Sequence, residues 1–179
     1  MLKLKHVEFL KYKYMLNIEI KILSKNELKD FRTIRLSALE KAPEMFGATY
    51  SVEVEKPLSF FEACLSNSTV FGVYHKDEII GLATFTKQIS AKSSHKGYLT
   101  SVFIEPQFQK KGVATRLLTS VVEYSKKHVE QILLSVADDN KAAVHLYKKF
   151  GFETYGVEKK ALKDNEKYID NILMKLFVL

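Results

Sequence analysis

One cysteine, Cys64, is all the thiol this chain of 179 residues carries. No internal disulfide and no thiolate metal cluster can form from it, and a reducing compartment is the natural setting. Cys64 sits among Phe60, Phe61, Ala63 and Leu65, which predicts a buried structural thiol. No stretch approaches the roughly 18 apolar residues needed to span a bilayer, so no membrane is expected and a cytoplasmic protein follows. HExxH, paired Cys/His spacings and GxSxG are all missing, which leaves no signal for a metal or a hydrolase nucleophile. The nucleotide loops GxxxxGK(S/T) and GxGxxG are missing as well.

Three prolines and seven glycines accompany 46% hydrophobic and 27% charged residues, the balance of a soluble globular protein. A chain of this length hides roughly 70% of its unfolded surface when it folds as one domain. The formal charge of +7 is uneven: Lys3, Lys5, Lys11 and Lys13 against Glu8 give residues 1–14 a net +3, leaving +4 for the rest. Such a balance favours an anionic partner without choosing one. Residues 1–14 lack the apolar centre of a signal peptide and precede the first alternating run, 17–22. They read as an N-terminal extension outside a single domain over 15–179.

Apolar residues at Leu28, Phe31, Ile34, Leu36 and Leu39 predict a first helix, with Ser24 or Asn26 to cap it. Pro43 stops it, an irregular or broken helical segment runs to Lys56, and a second helix from Pro57 ends at Asn67. Strands follow at 69–74 and 79–86, joined by a turn at 75–78, and a polar connection leads to a third at 97–104 that Pro106 ends. A helix opens at Gly112 with Ala114, Leu117, Leu118, Val121 and Val122 on one face. The apolar run 131–136 predicts a strand buried on both faces. Asp138 to Asn140 can cap a further helix that ends at Gly151, and strands at 152–162 and 167–176 close the pattern. The order β-α-α-β-β-β-α-β-α-β-β predicts a mixed α/β (α+β) fold: a central twisted mixed sheet in which antiparallel hairpins flank one crossover with parallel strands.

Between that third strand and the Gly112 helix lies Gln109-Lys110-Lys111-Gly112-Val113-Ala114. A helix N-terminus presents N–H groups without intrahelical partners and a dipole that favours anions, and glycine lets a phosphate approach the main chain. Lys110, Lys111 and Arg116 add positive charge. On physics alone the loop reads equally well as a tight turn before an ordinary amphipathic helix.

The same residues resemble the Q/RxxGxG/A element of the GNAT superfamily of N-acetyltransferases. Val102, Ile104 and Pro106 at the strand end, Asn140 with Ala143, and Leu146-Tyr147-Lys148-Lys149-Phe150-Gly151-Phe152, similar to that family's LYxKxGF segment, agree with it. The loop departs from the commoner form in having Gln109 for arginine and Ala114 for the second glycine. The resemblance implies a GNAT-like fold and acetyl-CoA as co-substrate, with no metal. Val102, Phe103 and Ile104 would take the pantetheine arm, through main-chain groups of Val102 and Ile104, where this strand splays from 132–136. Gln109, Lys110, Lys111, Gly112, Val113 and Ala114, with Thr115 beyond, would hold the pyrophosphate. Asn140 would hydrogen-bond the cofactor arm, and Tyr147 would protonate the leaving thiolate in a direct transfer to a primary amine.

A small-molecule or peptide amine is the expected acceptor. Its site is expected along the first helix, 46–55 and 161–170, with Glu53, Glu55 or Asp170 attracting the amine. Tyr98, Thr100, Ser101, Glu53 and Glu55 are the candidate bases, while Glu105 reads as a solvated strand-end charge. His75, His95 and His128 read as surface residues, and His145 points away from Tyr147 around its helix. A non-catalytic coenzyme A binding or sensing module is the alternative, against which Tyr147 counts. Nucleic acid is not an expected partner, although the basic arm invites it; two copies could pair through their last strands as a homodimer.

Overall fold

The computed structural model describes residues 16–164 and 166–178; the expected extension over 1–14 lies outside the described residues. The elements are β1 (Ile18–Ile22), α1 (Leu28–Lys41), α2 (Tyr50–Glu53), α3 (Leu58–Asn67), β2 (Thr69–His75), β3 (Glu78–Lys87), β4 (Lys96–Ile104), α4 (Val113–Ser125), β5 (Gln131–Ala137), α5 (Lys141–Lys149), β6 (Glu153–Asp164) and β7 (Lys167–Phe177). Ser24 and Glu27 form a reciprocal capping box on the short turn that leads into α1. The expected broken segment between the first two helices contains the single turn α2.

Seven strands form one sheet in the order β1-β2-β3-β4-β5-β7-β6. Only β4 and β5 are parallel, since α4 carries the chain back across the sheet between them; the other neighbours are antiparallel. The last strand inserts between β5 and β6, so β6 becomes an edge.

Alternation along the strands feeds two cores. On one face Phe85, Leu99, Ile104 and Ile132 pack against Leu117, Leu118 and Val121 of α4 and Val144 and Tyr147 of α5. On the other, Val70, Leu82 and Phe103 meet Phe31 and Ile34 of α1 and Phe61 of α3. Leu99 and Val102 lie three residues apart yet contact the same core, which simple alternation forbids. The register of β4 against β3 shifts between Leu82 and Thr84, and Ser101 there has a left-handed φ of 54°. Ser101 is thus the extra residue of a β-bulge, and the parity of the strand resets after it.

Candidate functional site

β4 and β5 share a ladder of only three residue pairs, from Lys96–Gln131 to Tyr98–Leu133. Beyond Tyr98 they separate. Phe103 and Glu105 turn their main-chain groups toward β3: the Glu105 N–H donates to the Ile80 carbonyl at 2.8 Å, and the Phe103 carbonyl lies against Gly81, where an added Cβ would stand 2.8 Å from it. Alternate residues in a strand face opposite edges, so Val102 and Ile104 turn theirs toward the gap. A cleft of about 560 Å³ occupies this gap, bounded by Val102 and Ile104 on one side, Ser135 and Val136 on the other, the 109–115 loop at one end and Tyr147 within.

The loop's conformation follows from its residues. Lys110 (φ 57°) and Gly112 (φ 79°) are both left-handed, and Gly112 is the N-cap of α4, with no side chain capping the helix. The first helical N–H groups, from Val113 to Thr115, therefore face the cleft mouth without intrahelical partners. A Cβ on Gly112 would meet no atom within 4 Å apart from those of its two chain neighbours; it would stand in open space. Gln109 behaves differently from expectation: its Nε2 donates to the Ile104 carbonyl at 2.9 Å, tying the loop to the strand end and occupying one of the groups expected to meet a ligand. Arg116 does not line the cleft. Its two Nη atoms donate to the carbonyls of Leu16 and Ile18 at 3.1 and 3.0 Å, while Lys110, which lines the cleft, and Lys111 beside it are exposed.

Asn140 caps α5, accepting the Ala143 N–H at 3.1 Å through Oδ1; its Nδ2 points at Met45 Sδ, 3.4 Å away. Its carbonyl is committed to the cap, and the amide nitrogen is the end that can serve a ligand. Tyr147 is 7% exposed, with its ring edge-on to Phe152 at 5.6 Å. Burial pushes its hydroxyl well above the usual phenol range. No sealed polar side-chain atom lacks a partner among the described residues, and none of their recorded hydrogen bonds engages the Tyr147 hydroxyl. The hydroxyl therefore opens into the cleft that Tyr147 lines.

A second cavity, about 450 Å³, lies on the α1/α3 face; Thr100 and Ser101 line both it and the cleft. The bulge is thus shared by the two spaces, and the cleft reaches the α1 side of the sheet as well, where Lys41, Ala42 and Phe46 line it. Several side chains here meet partners or surroundings that the sequence did not reveal. Glu53, a candidate base or amine attractor, is 6% exposed and accepts from Arg35 twice, Nη2 to Oε1 at 2.6 Å and Nε to Oε2 at 2.9 Å. Arg35 Nη1 then donates to Ser101 Oγ at 3.1 Å. Glu105, read as solvated, is also 6% exposed and accepts from Ser37 Oγ and from Lys41 Nζ, the latter at 2.7 Å. Asp170 is held by Lys159 Nζ at 2.7 Å and the Lys160 N–H at 2.8 Å; these interactions keep its carboxyl below the usual carboxylate range. Cys64, expected to be buried, is half-buried and lines the second cavity. Tyr98 is 41% exposed and lines neither space.

The sequence profile of the Acetyltransferase (GNAT) domain matches residues 20–173. This chain belongs to the GNAT acetyltransferase family. It is 31% identical to an N-alpha-acetyltransferase of Saccharolobus solfataricus over 128 residues, 69% of this chain and 75% of that protein. It is 30% identical to the L-amino acid N-acetyltransferase AaaT of Escherichia coli over 99 residues, 54% of this chain and 60% of that one; alignment to an N-acetyltransferase of Methanocaldococcus jannaschii spans 26% of its length. The GNAT fold itself is closely matched by an acetyltransferase of Streptococcus pneumoniae, with TM-score 0.80, 21% identity, and 91% and 100% of the two chains covered. A Salmonella typhimurium putative acetyltransferase solved with its cofactor acetyl-CoA superposes with TM-score 0.78 at 18% identity, covering 91% and 95%. Among the described residues, no helix of this GNAT domain is long and apolar enough to cross a membrane.

Proposed function

We propose that this GNAT domain is an acetyl-CoA-dependent N-acetyltransferase that passes the acetyl group directly to a primary amine. The observation that carries the reading is the cleft opened by the divergence of β4 and β5, which runs from an uncapped helix N-terminus to the hydroxyl of the buried Tyr147, which has no partner among the described residues. Its chemistry suits a long ligand with phosphates at one end. The N–H groups of Val113, Ala114 and Thr115 with Lys110 and Lys111 would take the pyrophosphate. Main-chain groups of Val102, together with Phe103 and Ile104 as the remaining wall of β4, would guide the pantetheine arm, and Asn140 would offer its Nδ2. Bound acetyl-CoA would supply an acyl group activated as a thioester. Tyr147 keeps its proton throughout the physiological range because burial disfavours the phenolate. Its part is therefore to donate a hydrogen bond where negative charge develops on the leaving sulfur. Names of relatives that act on L-amino acids and on N-alpha amines support an amine acceptor.

Thiol release from acetyl-CoA, measured with and without a panel of primary amines, tests this reading. Amine-dependent release is expected. Tight coenzyme A binding with no transfer to any amine would replace the enzyme with a binding or sensing module.

A further inference from the structure

We infer that the α1/α3 cavity is the acceptor site and that it takes a compact primary monoamine with an apolar, aromatic-sized body, not a polyamine. The inference rests on the acetyltransferase reading above for its placement and on the cavity's own walls for its selectivity. Thr100 and Ser101 are common to the cavity and the cofactor cleft, so an amine seated on the α1/α3 face reaches the bulge from the side opposite the Tyr147 core. At about 450 Å³ the cavity falls within the ~300–1,000 Å³ of small-molecule sites. Phe31, Phe60, Phe61 and Val70 supply its apolar wall. Phe60 and Phe61 meet edge to face at 5.2 Å, which holds the half-exposed Phe60 ring at the cavity rim.

Charge decides the class. A polyamine keeps its distal ammonium groups in the site and needs anions to receive them, whereas a monoamine that must become neutral to attack needs none. The carboxylate here, Glu53, has both oxygens on Arg35, so the pair presents no net charge. Two of the rim hydroxyls, Ser68 and Thr86, satisfy each other at 2.8 Å. Of the other acids expected to attract an amine, Asp170 is spent on Lys159 and Lys160, and Glu55 is exposed and lines no part of the cavity. What is left is apolar surface with a few hydroxyls, Thr84 and Thr100 among them.

Cys64, the single cysteine of the chain and part of the cavity wall, reports occupancy without any acetyl transfer. Reaction of the thiol with 4,4′-dithiodipyridine at pH 7.5, a disulfide exchange that primary amines do not undergo, followed by absorbance of the released thiopyridone, should be slowed about tenfold by millimolar 2-phenylethylamine and left unchanged by equimolar spermidine. In turnover, kcat/KM for 2-phenylethylamine should exceed that for spermidine at least tenfold. Arg35→Gln frees the Glu53 carboxylate, so in a variant shown to be folded by circular dichroism the ratio should move at least tenfold toward spermidine. Should that variant not fold, the wild-type labelling and turnover decide alone. Stronger protection by spermidine, or no protection by either amine, overturns the inference. Protection by the monoamine with no transfer to any amine upholds the cavity's selectivity and overturns instead the reading of the domain as an enzyme.

Discussion

Replacing Gly112 separates what the backbone needs from what the ligand needs. The residue has φ 79° and ψ 0°, a left-handed conformation that costs an L-residue about 1–2 kcal/mol. No atom apart from those of its two chain neighbours lies within 4 Å of the Cβ position, so no clash adds to that cost. In a domain of this size 1 kcal/mol is worth about 2–4 °C in Tm, and Gly112→Ala or Gly112→Val should melt about 2–8 °C lower. The effect on coenzyme A should be larger in proportion. The new side chain stands at the uncapped N-terminus of α4, and each hydrogen bond to a charged group is worth about 1.5–3 kcal/mol, or roughly 10- to 150-fold in Kd. Gly151→Ala is the matched control: it too is left-handed, with φ 89°, and an added Cβ would meet Leu176 Cδ1 at an ordinary 3.5 Å. It should lose similar stability and no affinity. Calorimetric titration of coenzyme A into the three folded proteins gives the answer, and a Gly112→Val protein that binds with wild-type Kd would refute the loop's role.

Tyr147→Phe should lower kcat about 10- to 100-fold while leaving the Kd for coenzyme A within a factor of two; unchanged turnover would end its assigned part. Because burial raises its pKa above the ordinary phenol value near 10, its proton stays on below that pH. With the acceptor saturating, the pH profile should rise toward the amine's own pKa and show no descending limb below about pH 10. Glu105→Ala strands Ser37 and Lys41 and should cost about 1.5–3 kcal/mol, seen as a Tm drop in differential scanning; a change within about 0.5 kcal/mol is what a solvated charge would give. Deleting residues 1–14 should leave Tm nearly unchanged, and a large loss would make them part of the core.

The strand, loop and helix around Gly112 were legible because three local signals coincide there: the stop at Pro106, a glycine where φ must be positive, and an apolar face beginning at Val113. Asn140 as a cap and the α5 face were legible for the same reason. The bulge at Ser101 was not, since nothing in TSVFI marks an extra residue; the positive φ falls on a serine held by Arg35 from another element. The fates of the charges were also hidden. Glu53, Glu105 and Arg116 look alike in sequence to solvated residues, and their partners lie 18, 64 to 68, and 98 to 100 positions away. Local pattern carries no information at that range. The insertion of β7 between β5 and β6 is hidden likewise, because element order does not fix strand order.

Those hidden contacts explain why the cleft can stay open. A strand that leaves its neighbour after three pairs gives up a ladder on that edge, and beyond Tyr98 β4 keeps sheet pairing with β3 alone, through Phe103 and Ile104. β4 is held at three successive points beyond the separation: Ser101 by Arg35, the Ile104 carbonyl by Gln109, and Glu105 by Ser37 and Lys41. Two of the three anchors come from α1, whose C-terminal end, at Lys41, also lines the cleft. The edge facing β5 is thereby left with Val102 free while the strand itself is fixed. The same α1 residue that anchors the bulge also cancels the charge of Glu53 in the neighbouring cavity. Under the proposed function one guanidinium would serve both spaces: it helps to hold the β4 wall of the cleft and sets the charge of the neighbouring cavity.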